Sequence, residues 1–531
     1  MSPPPGNIQL GPGEFESLLQ RLSQQKLEPD DYELLIQVVQ AMGWMSHELE
    51  DKKLSIRRLQ RIFGIKTESS RNILGDDDKD PKDNDLNDPM AGSSGGGSVK
   101  KKRKGHGRNG ADAYTSAKRI TLEHDQYKSG DTCPECPKGR LYELSNPGIV
   151  IRVKGQPPLH ATIYELQKYR CNLCGMVFTA KLPEGVSNKK YDETAQAMLT
   201  LLRYGGGFPH YRLRRFQDNL GIPLPESTQW DIIEKAANTA QHIYKELIRQ
   251  AAKGDLLHND DTTMRILSNK KENISGKNER KGVFTTGILS EKDHQQIALY
   301  FTGNQHAGEN IGDLLRNRGS TLNPPIQMCD ASSRNLPKDF EITLANCMSH
   351  ARRYFVELLH IFPQKCKHVI KAIGNVYHND NVIRDQKMSD QDRLDYHQLH
   401  SKPIMDSLKQ WIQKHFDQKN VEPNSSLGKA FNYMLRHWDP LTRFLEIPGC
   451  PLDNNIVERC LKSAILHRKN SLFYKTQFGA HVGDIFMSII QTCNLAKINT
   501  FDYLTEILKN PHKVFKNPDL WMPWNYQTAQ V

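Results

Sequence analysis

The chain opens with a helical pattern of apolar positions. One face of the first predicted helix carries Leu34, Leu35, Val38, Val39 and Met42. Asp30 or Asp31 can cap that helix. The next stretch, LSIRRLQRIFGIKTESSRNIL, has the pattern helix, Gly64 turn, helix. We predict a helical segment over residues 1–75, and a helix-turn-helix or a self-associating helical hairpin fits it about equally well.

A second helical pattern covers residues 183–250. Its central part, YRLRRFQDNLGIPLPESTQWDIIEKAA, has the form of a helix-turn-helix in which Gly221 and two prolines make the break and Ser227 caps the following helix. The first of these helices carries three cations that can face phosphates, Arg212, Arg214 and Arg215. A packing hairpin with a basic surface is the alternative interpretation.

After Gly254 the periodicity changes from helix to strand. DLLHNDDTTMRIL, KGVFTTGILS and QIALYFTG predict three strands, most simply an antiparallel meander, and PPIQMCD predicts a fourth strand that ends in an acid. Helical patterns return from about residue 351 to 445. We therefore predict an α+β multidomain chain with an RNase H-like core over residues 251–485, a mixed sheet with flanking helices that carries an all-α insertion at 351–445. A C-terminal helical element follows over residues 486–531.

Between the helical segments the chain loses its apolar residues. Residues 76–112 contain an acidic run, then AGSSGGGS, then VKKKRKGHGR, so we predict a disordered linker. The basic run either contacts DNA phosphates non-specifically or is only a solvated charge run, and it contains Lys100, Lys101, Lys102, Arg103 and Lys104.

Composition narrows the class of partner. Lys and Arg number 72 against 61 Asp and Glu, a net charge of +11, which suits a partner with phosphates but also fits a basic protein that binds no nucleic acid. No apolar run reaches the length of a membrane span, and MSPPPGNIQL lacks the apolar core of a signal peptide. We therefore expect a cytoplasmic protein without a membrane partner, whose ten cysteines bind metal or are buried thiols.

Two Cys-x-x-Cys pairs lie within residues 113–182. Cys133 and Cys136 form the first pair, and Cys171 and Cys174 form the second. Four thiolates complete the tetrahedral shell of one structural zinc ion and leave no open position for catalysis. The β-rich sequence between the pairs predicts a zinc ribbon, and four unrelated buried thiols are the alternative.

Three acids each lie inside a local motif: Asp260 in HNDDTTMRIL, Asp330 in MCDASSRNLP and Glu458 in PLDNNIVERCLKSAILHRKNSLF. A strand, a second strand end and a helix can gather them around two magnesium ions, which prefer oxygen ligands. Asp260 and Asp261 are neighbours on one strand, so their side chains point to opposite faces. Judged alone, Glu458 fits a helix cap better, because Asn455-Ile-Val-Glu458 has capping-box spacing.

Further polar residues surround these acids in the sequence. Cys347 and His350 have the spacing of half a zinc site, but the sequence shows no second pair nearby. We interpret His350 as a polar group positioned near the active site and Cys347 as a core residue. Asn454 lies one turn before Glu458 on the same predicted helix face. The neighbourhood of Glu458 is strongly basic and contains Arg459, Lys462, Arg468 and Lys469.

With these motifs, the chain resembles the transposases of the insertion sequence 66 family over most of its length. The resemblance rests on LSIRRLQRIFG, GHGR, the paired cysteines, YGGGFPHYRLRRFQDNLGIPLPESTQW, HNDDTTMRIL, ANCMSHARRYF, LDNNIVERCLKSAILHRKNSLF and DIFMSIIQTCNLAKINTFDYLTEIL. It implies a DDE transposase with two catalytic magnesium or manganese ions, held by Asp260, Asp330 and Glu458. The chain reads Asp261 where the family usually has Glu, and Ala331-Ser332 where it usually has Gly-Tyr.

The expected function is metal-dependent cleavage and transfer of DNA strands during transposition of an insertion sequence. The expected partners are transposon ends, target DNA, further copies of the chain and, by resemblance, small companion proteins encoded by the same element. Two alternatives remain: a catalytically inactive or domesticated DNA-binding protein derived from such a transposase, and an RNase H-like nuclease that acts on RNA or hybrids.

Overall fold

The computed structural model describes residues 189–268 and 282–528 continuously, residues 157–170 and 176–187, and scattered positions between 20 and 172. The chain divides into two compact units. The larger comprises Met1–Lys79, Lys189–Arg214 and Pro225–Val531, and the smaller comprises Asp80–Asn188 and Arg215–Leu224. Within the smaller unit, strands β1 (Lys168–Arg170) and β2 (Val177–Thr179) form an antiparallel pair.

The remaining strands and α-helices follow in chain order. They are α1 (Glu193–Thr200), α2 (His210–Asn219), α3 (Glu226–Ala251), β3 (Leu256–Thr263), β4 (Phe284–Lys292), β5 (Gln295–Gly303), α4 (Ala307–Leu315), β6 (Ile326–Cys329), β7 (Thr343–Asn346), α5 (Met348–Glu357), α6 (Pro363–Asp385), α7 (Asp390–His400), α8 (Lys402–Asp417), α9 (Ser426–Arg436), α10 (Trp438–Leu441), α11 (Asn455–Ser471), α12 (Gln477–Leu495), α13 (Thr500–Lys509) and α14 (Pro511–Lys516). A π-helical turn, Leu201–Gly205, follows α1, and short 3₁₀ helices cover Ala111–Ala113, Ser333–Asn335, Arg443–Leu445 and Pro518–Trp521.

A mixed five-stranded sheet lies in the larger unit, in the order β5-β4-β3-β6-β7. β3, β4 and β5 pair antiparallel, which confirms the predicted meander. β6 runs parallel to β3 and ends at Cys329, one residue before Asp330, as predicted for the fourth strand. The sequence did not indicate β7, because it is only four residues long and passes almost directly into α5. This α+β architecture is compatible with an RNase H-like core.

Helix α11 packs on the sheet face that carries Asp260. Cross-strand pairing aligns Asp260, Gly287 and Tyr300 on that face. The Tyr300 hydroxyl donates a hydrogen bond to the carbonyl oxygen of Cys460 in α11 at 2.6 Å. A Cβ added to Gly287 would lie 2.9 Å from the side chain of Leu461, so glycine lets α11 approach the sheet closely.

Asp261 faces the other side of the sheet, as the strand periodicity predicts. The Thr286 hydroxyl donates to one of its carboxylate oxygens, and the backbone N–H of Ala307 donates to the other at 3.0 Å. Ala307 is the first residue of α4, so the carboxylate binds the positive end of that helix. Asp261 therefore attaches α4 to β3.

Strand β5 is an edge strand whose outward-facing backbone groups are satisfied by helix α12. Three polar residues one turn apart on α12 accept hydrogen bonds from alternate N–H groups of β5, from Thr302 to Asp484 at 2.7 Å, from Tyr300 to Ser488 at 2.9 Å and from Ala298 to Thr492 at 3.1 Å. The helix thus takes the place that a sixth strand would fill, and it covers an edge that would otherwise offer open hydrogen-bonding groups.

Helices α5, α6, α8, α9 and α10 share one apolar core with strands β6 and β7. Phe355 and Phe431 are fully buried in it, and so is Cys347, which was predicted to be a core residue. The helical character of residues 351–445 is therefore confirmed. The six cysteines in the described part of the chain are all free and buried.

One sequence prediction about helix α3 is wrong. The helix begins at Glu226 with Pro225 as its N-cap residue, so Ser227 does not cap it. The extended backbone of Pro225 ends the preceding segment two residues before Ser227. Helix α3 packs against α12 within the larger unit. The predicted boundary at residue 485 falls inside α12.

Among the described residues, no helix has the combination of length and apolar character that crossing a bilayer requires.

The covered edge of β5 leads to a stability prediction. Ser488→Ala removes the acceptor of the Tyr300 N–H and leaves that buried donor unsatisfied. We expect the free energy of unfolding, measured by urea denaturation, to fall by about 1–3 kcal/mol. Ser407→Ala changes an exposed serine in helix α8 and serves as the matched control. Equal losses in the two variants would contradict the role of α12 at this edge.

The close approach of α11 leads to a second prediction. Gly287→Ala should lower the free energy of unfolding by about 1–3 kcal/mol, because the new methyl group overpacks against Leu461. Gly303→Ala is the control on the neighbouring strand β5, where a Cβ would meet only the Gln477 amide at 3.7 Å. A smaller loss for Gly287→Ala than for Gly303→Ala, again by urea denaturation, would refute the close packing.

Candidate functional site

Asp260 and Asp330 lie at equivalent positions on two neighbouring parallel strands. The paired register of β3 and β6 ends at His258 opposite Met328, and each aspartate follows two residues later. Adjacent strands are about 4.8 Å apart, so the two carboxyl groups emerge side by side at the same edge region of the sheet. Asp260 lies within its strand and Asp330 directly after its own, as the sequence predicted.

A network of buried amides supports these two aspartates. The Gln327 side chain donates to Asn259 Oδ1 at 2.8 Å and to the carbonyl oxygen of Asn335 at 2.6 Å. The Asn335 side chain in turn donates to Asp330 Oδ1, which also accepts the backbone N–H of Ser332 at 3.1 Å. The network fixes the loop after β6 and orients one oxygen of Asp330, which leaves the other for a ligand.

The N-terminus of α11 is attached to β3 by Asn454, which is fully buried. Its side-chain amide donates to the carbonyl oxygen of Asn259 at 2.9 Å, and its Oδ1 lies 2.9 Å from Nδ1 of His258. Burial lowers the pKa of His258, although its hydrogen bond to Asn454 acts in the opposite direction. A neutral imidazole that donates from Nδ1 fits this contact.

Glu458 is positioned by this attachment. Asn454 is the N-cap residue of α11, and the backbone N–H of Glu458 donates to its carbonyl oxygen at 3.3 Å. The capping-box interpretation of Asn455 and Glu458 is therefore wrong, because the helix begins one residue earlier than that box requires. Asn455 instead donates its side-chain amide to Asp453 at 2.8 Å and to the Ser349 hydroxyl at 3.3 Å.

The three acids share one electrostatic environment. Burial, followed by the negative charges of Asp330, Glu458 and Asp261, raises the pKa of the Asp260 carboxyl to about 7, while the hydrogen bond from the Asp261 N–H acts in the opposite direction. The acids therefore lie close enough to repel one another. A bound cation would reverse this effect, because it favours the charged carboxylates.

His350 and Cys347 lie beside Glu458. His350 Nδ1 is 3.8 Å from Glu458 Oε1, and both atoms are buried without a hydrogen-bond partner among the described residues. The Sγ atom of Cys347 belongs to the same group, and these three ligand atoms lie within 4.8 Å of one another. Burial raises the pKa of the Cys347 thiol to about 12, whereas hydrogen bonds from the backbone N–H groups of Asn454 and His350 lower it.

The basic residues of α11 divide into two groups. Arg468 points towards the sheet, where its Nη1 donates to the Thr262 hydroxyl at 3.0 Å and to the Thr263 hydroxyl at 2.7 Å. It therefore attaches the C-terminal end of α11 to the end of β3. The exposed positions of the helix follow one face and comprise Arg459, Lys462, Leu466 and Lys469.

The remaining predicted binding residues lie on α2 or outside the described residues. Arg212, Arg214 and Arg215 are exposed on α2, where Arg212 donates to the Tyr211 hydroxyl at 3.0 Å and Arg214 lies 3.6 Å from Glu226. The residues outside the described part of the chain are Lys100, Lys101, Lys102, Arg103, Lys104, Cys133, Cys136, Cys171 and Cys174. The β1–β2 pair comes directly before and after the second cysteine pair in the sequence.

Sequence reasoning missed the supporting residues Asn259, Gln327 and Asn335. Their signal was present as polar side chains inside strand patterns that otherwise predict burial, as in DLLHNDD and PPIQMCD. Their partners could not be identified from the sequence, because Asn259 and Asn335 lie 76 positions apart.

The sequence of this chain is similar to that of known proteins. The family described as "Transposase IS66 family" matches residues 189–482, more than half of the 531-residue chain. "Uncharacterized protein y4hP" of Sinorhizobium fredii is 25% identical over 429 residues, which cover 75% of this chain and 74% of the relative. "Uncharacterized protein y4jD" of the same organism is 32% identical over 206 residues, and the match spans 38% of this chain and only 39% of y4jD. The chain belongs to the IS66 family of transposases.

Proposed function

We propose that this chain is a DDE transposase that cleaves DNA at the ends of an insertion sequence and joins those ends to target DNA. The observation that carries the proposal is the convergence of Asp260, Asp330 and Glu458 from β3, the end of β6 and the start of α11. The sheet order is compatible with an RNase H-like core, and we propose that the helices between residues 351 and 445 are an insertion in it.

The residues present fit a pair of divalent cations, either magnesium or manganese. Glu458 Oε1 is buried and has no hydrogen-bond partner among the described residues, and Asp260 repels its acidic neighbours. Carboxylate oxygens are the ligands that such hard cations prefer. Asp260, Asp330 and Glu458 would hold the two ions. When bound, the ions lower the pKa of an attacking water or DNA hydroxyl and stabilise the leaving oxygen.

The chain supplies position and rigidity around these acids. Asn454 and Arg468 hold the two ends of α11 on β3, so the distance between Glu458 and Asp260 is set by the fold. Asn335 orients Asp330. A site held in this way can accept cations with little rearrangement, which is what preorganised electrostatic catalysis requires.

Exposed cations on α11 support DNA as the substrate. Arg459, Lys462 and Lys469 begin next to Glu458 and extend along one solvent-facing side of the helix. Ten residues of helix span about 15 Å, or four to five base-pair steps of duplex. We propose that this face binds the phosphate backbone of the DNA on which the acids act.

The remaining modules would hold DNA and further copies of the chain. We propose that Cys133, Cys136, Cys171 and Cys174 bind one structural zinc ion in a ribbon, flanked by the β1–β2 pair. The basic run from Lys100 and the cations of α2 would add contacts to DNA. Bringing two transposon ends together requires at least two copies of the chain, and small companion proteins of the same element are further proposed partners.

The catalytic assignment can be tested by Asp260→Asn. The purified protein, a labelled DNA carrying the element's own end and magnesium should give nicking that the variant abolishes, with DNA binding retained, because one of the carboxylates that would hold the ions is lost. Asp261→Asn is the matched control, since Asp261 faces α4 on the other side of the sheet. We expect it to retain nicking.

Two results would count against this assignment. Nicking that persists in Asp260→Asn would exclude the role of that carboxylate. Binding of the end without any metal-dependent nicking by the wild-type chain would favour an inactive or domesticated DNA-binding protein, provided that adding the companion proteins also fails to restore it.

The DNA-binding face leads to a separate prediction. The triple variant Arg459→Ala, Lys462→Ala, Lys469→Ala should bind DNA more weakly and should reduce the slope of log affinity against log salt by about 2–3, because up to three phosphate contacts are lost. A control variant with the same change in charge, Lys367→Ala, Lys414→Ala, Lys419→Ala, alters exposed lysines in the helical segment. Equal slopes for the two variants would place the contact elsewhere.

A further inference from the structure

Glu458 faces a second set of metal-ligand atoms that the catalytic proposal does not use. We propose that Cys347, His350 and Glu458 form a zinc site, and that zinc bound there inhibits the enzyme by taking Glu458 away from the catalytic ions. The site itself rests on the geometry of these residues, whereas the inhibition rests on the proposed function.

The ligand atoms are already close together. Cys347 Sγ, one ring nitrogen of His350 and a carboxylate oxygen of Glu458 lie within 4.8 Å of one another. Tetrahedral zinc with bonds of about 2.0–2.3 Å places its ligand atoms roughly 3.5 Å apart, so small side-chain rotations would complete the site. His350 Nδ1 and Glu458 Oε1 are buried and lack hydrogen-bond partners among the described residues, so both remain available to a cation.

The surroundings of Cys347 favour a metal-bound thiolate. Its Sγ accepts the backbone N–H of Asn454 at 3.2 Å and a second hydrogen bond from the backbone N–H of His350. Two N–H groups that point at one sulfur stabilise its negative charge, as outer-shell hydrogen bonds do around metal-bound ligands. His350 lies three positions after Cys347, on the first turn of α5, so the backbone that carries one ligand also supports the other.

The ligand types select zinc over the catalytic cations. Thiolate and imidazole favour zinc, whereas magnesium prefers oxygen ligands and keeps several waters. Three protein ligands leave a fourth position for water. Sequence spacing shows only Cys347 and His350, and the third ligand comes from Glu458 more than a hundred positions later.

The consequence is competition for one carboxylate. Glu458 is held at the start of α11, between Asp260 on one side and His350 on the other. The Glu458 carboxylate can bind the catalytic ions or the zinc ion. Because its helix is attached to the sheet, it cannot bind at both sites together. Zinc at this site would therefore weaken magnesium binding and suppress strand cleavage.

The test counts zinc ions bound to the full-length chain. Wild type, Cys347→Ser and His350→Ala are equilibrated with zinc chloride, dialysed against zinc-free buffer and measured by elemental analysis. We expect each variant to hold one zinc ion fewer per chain than the wild type. Cys366→Ser is the matched control, because Cys366 is equally buried in the same core but lies outside the ligand group. We expect this control, and Asp260→Asn, to match the wild type.

Several outcomes would overturn the site. Equal zinc content in wild type, Cys347→Ser and His350→Ala would do so, and so would loss of the same ion in Asp260→Asn, which would place it among the catalytic acids. His350→Ala keeps the test valid if Cys347→Ser fails to fold, because the His350 side chain is only partly buried.

Inhibition is measured separately on magnesium-dependent nicking. The zinc concentration for half inhibition should rise at least about tenfold in Cys347→Ser. A lost zinc ion in the variants, with no nicking by the wild type, would support the zinc site and count against the proposed function. Nicking by the wild type with unchanged zinc content in the variants would refute the zinc site and leave the proposed function standing.

Discussion

The crossing of helix α11 over strand β3 is the constraint on which the rest of the site depends. Asn454 binds the helix to the backbone of Asn259 at one end, and Arg468 binds it to the end of β3 at the other. Between them, the missing side chain of Gly287 lets the helix lie close to the sheet. Because both ends are attached, Glu458 cannot move away from Asp260 without breaking these contacts, of which the buried hydrogen bonds of Asn454 are the costliest to leave unpaired.

Buried polar groups set the architecture as much as the apolar core does. Most buried backbone donors and acceptors must find a partner, and an edge strand presents a row of them. In this chain, α12 places Asp484, Ser488 and Thr492 along β5, so the sheet ends in a helix and not in an open strand. A buried hydrogen bond also lies near the acids, where the Gln327 side-chain amide donates to Asn259 Oδ1 within the sheet.

Local patterns were sufficient to predict strands β3 to β6, and insufficient to predict β7 or the contacts that support the three acids. The β-type composition of KGVFTTGILS and QIALYFTG indicated the meander, and PPIQMCD indicated the short strand that ends at Asp330. The contact between His258 and Asn454 joins residues 196 positions apart, and no local pattern reports such a pairing. Pro225 sets the start of α3, which is a local effect. The packing of α3 against α12 is a long-range contact, and the local sequence of α3 does not indicate it.

The acids repel one another, and the rigid elements that carry them keep them close together despite that repulsion. Separate carboxylates would relax apart in a flexible loop and lose their mutual repulsion, whereas Asp260 on a central strand and Glu458 on an attached helix cannot. Burial and the neighbouring negative charges both disfavour the charged form of Asp260, and together they raise its pKa. A cation that binds there favours the charged form without reorganising the protein, and the same reasoning applies to any cation that can use Glu458. Which ion binds Glu458 must then depend on the other ligands at each site. Asp260 supplies oxygen ligands, which hard ions prefer, whereas Cys347 and His350 supply sulfur and nitrogen, which zinc prefers.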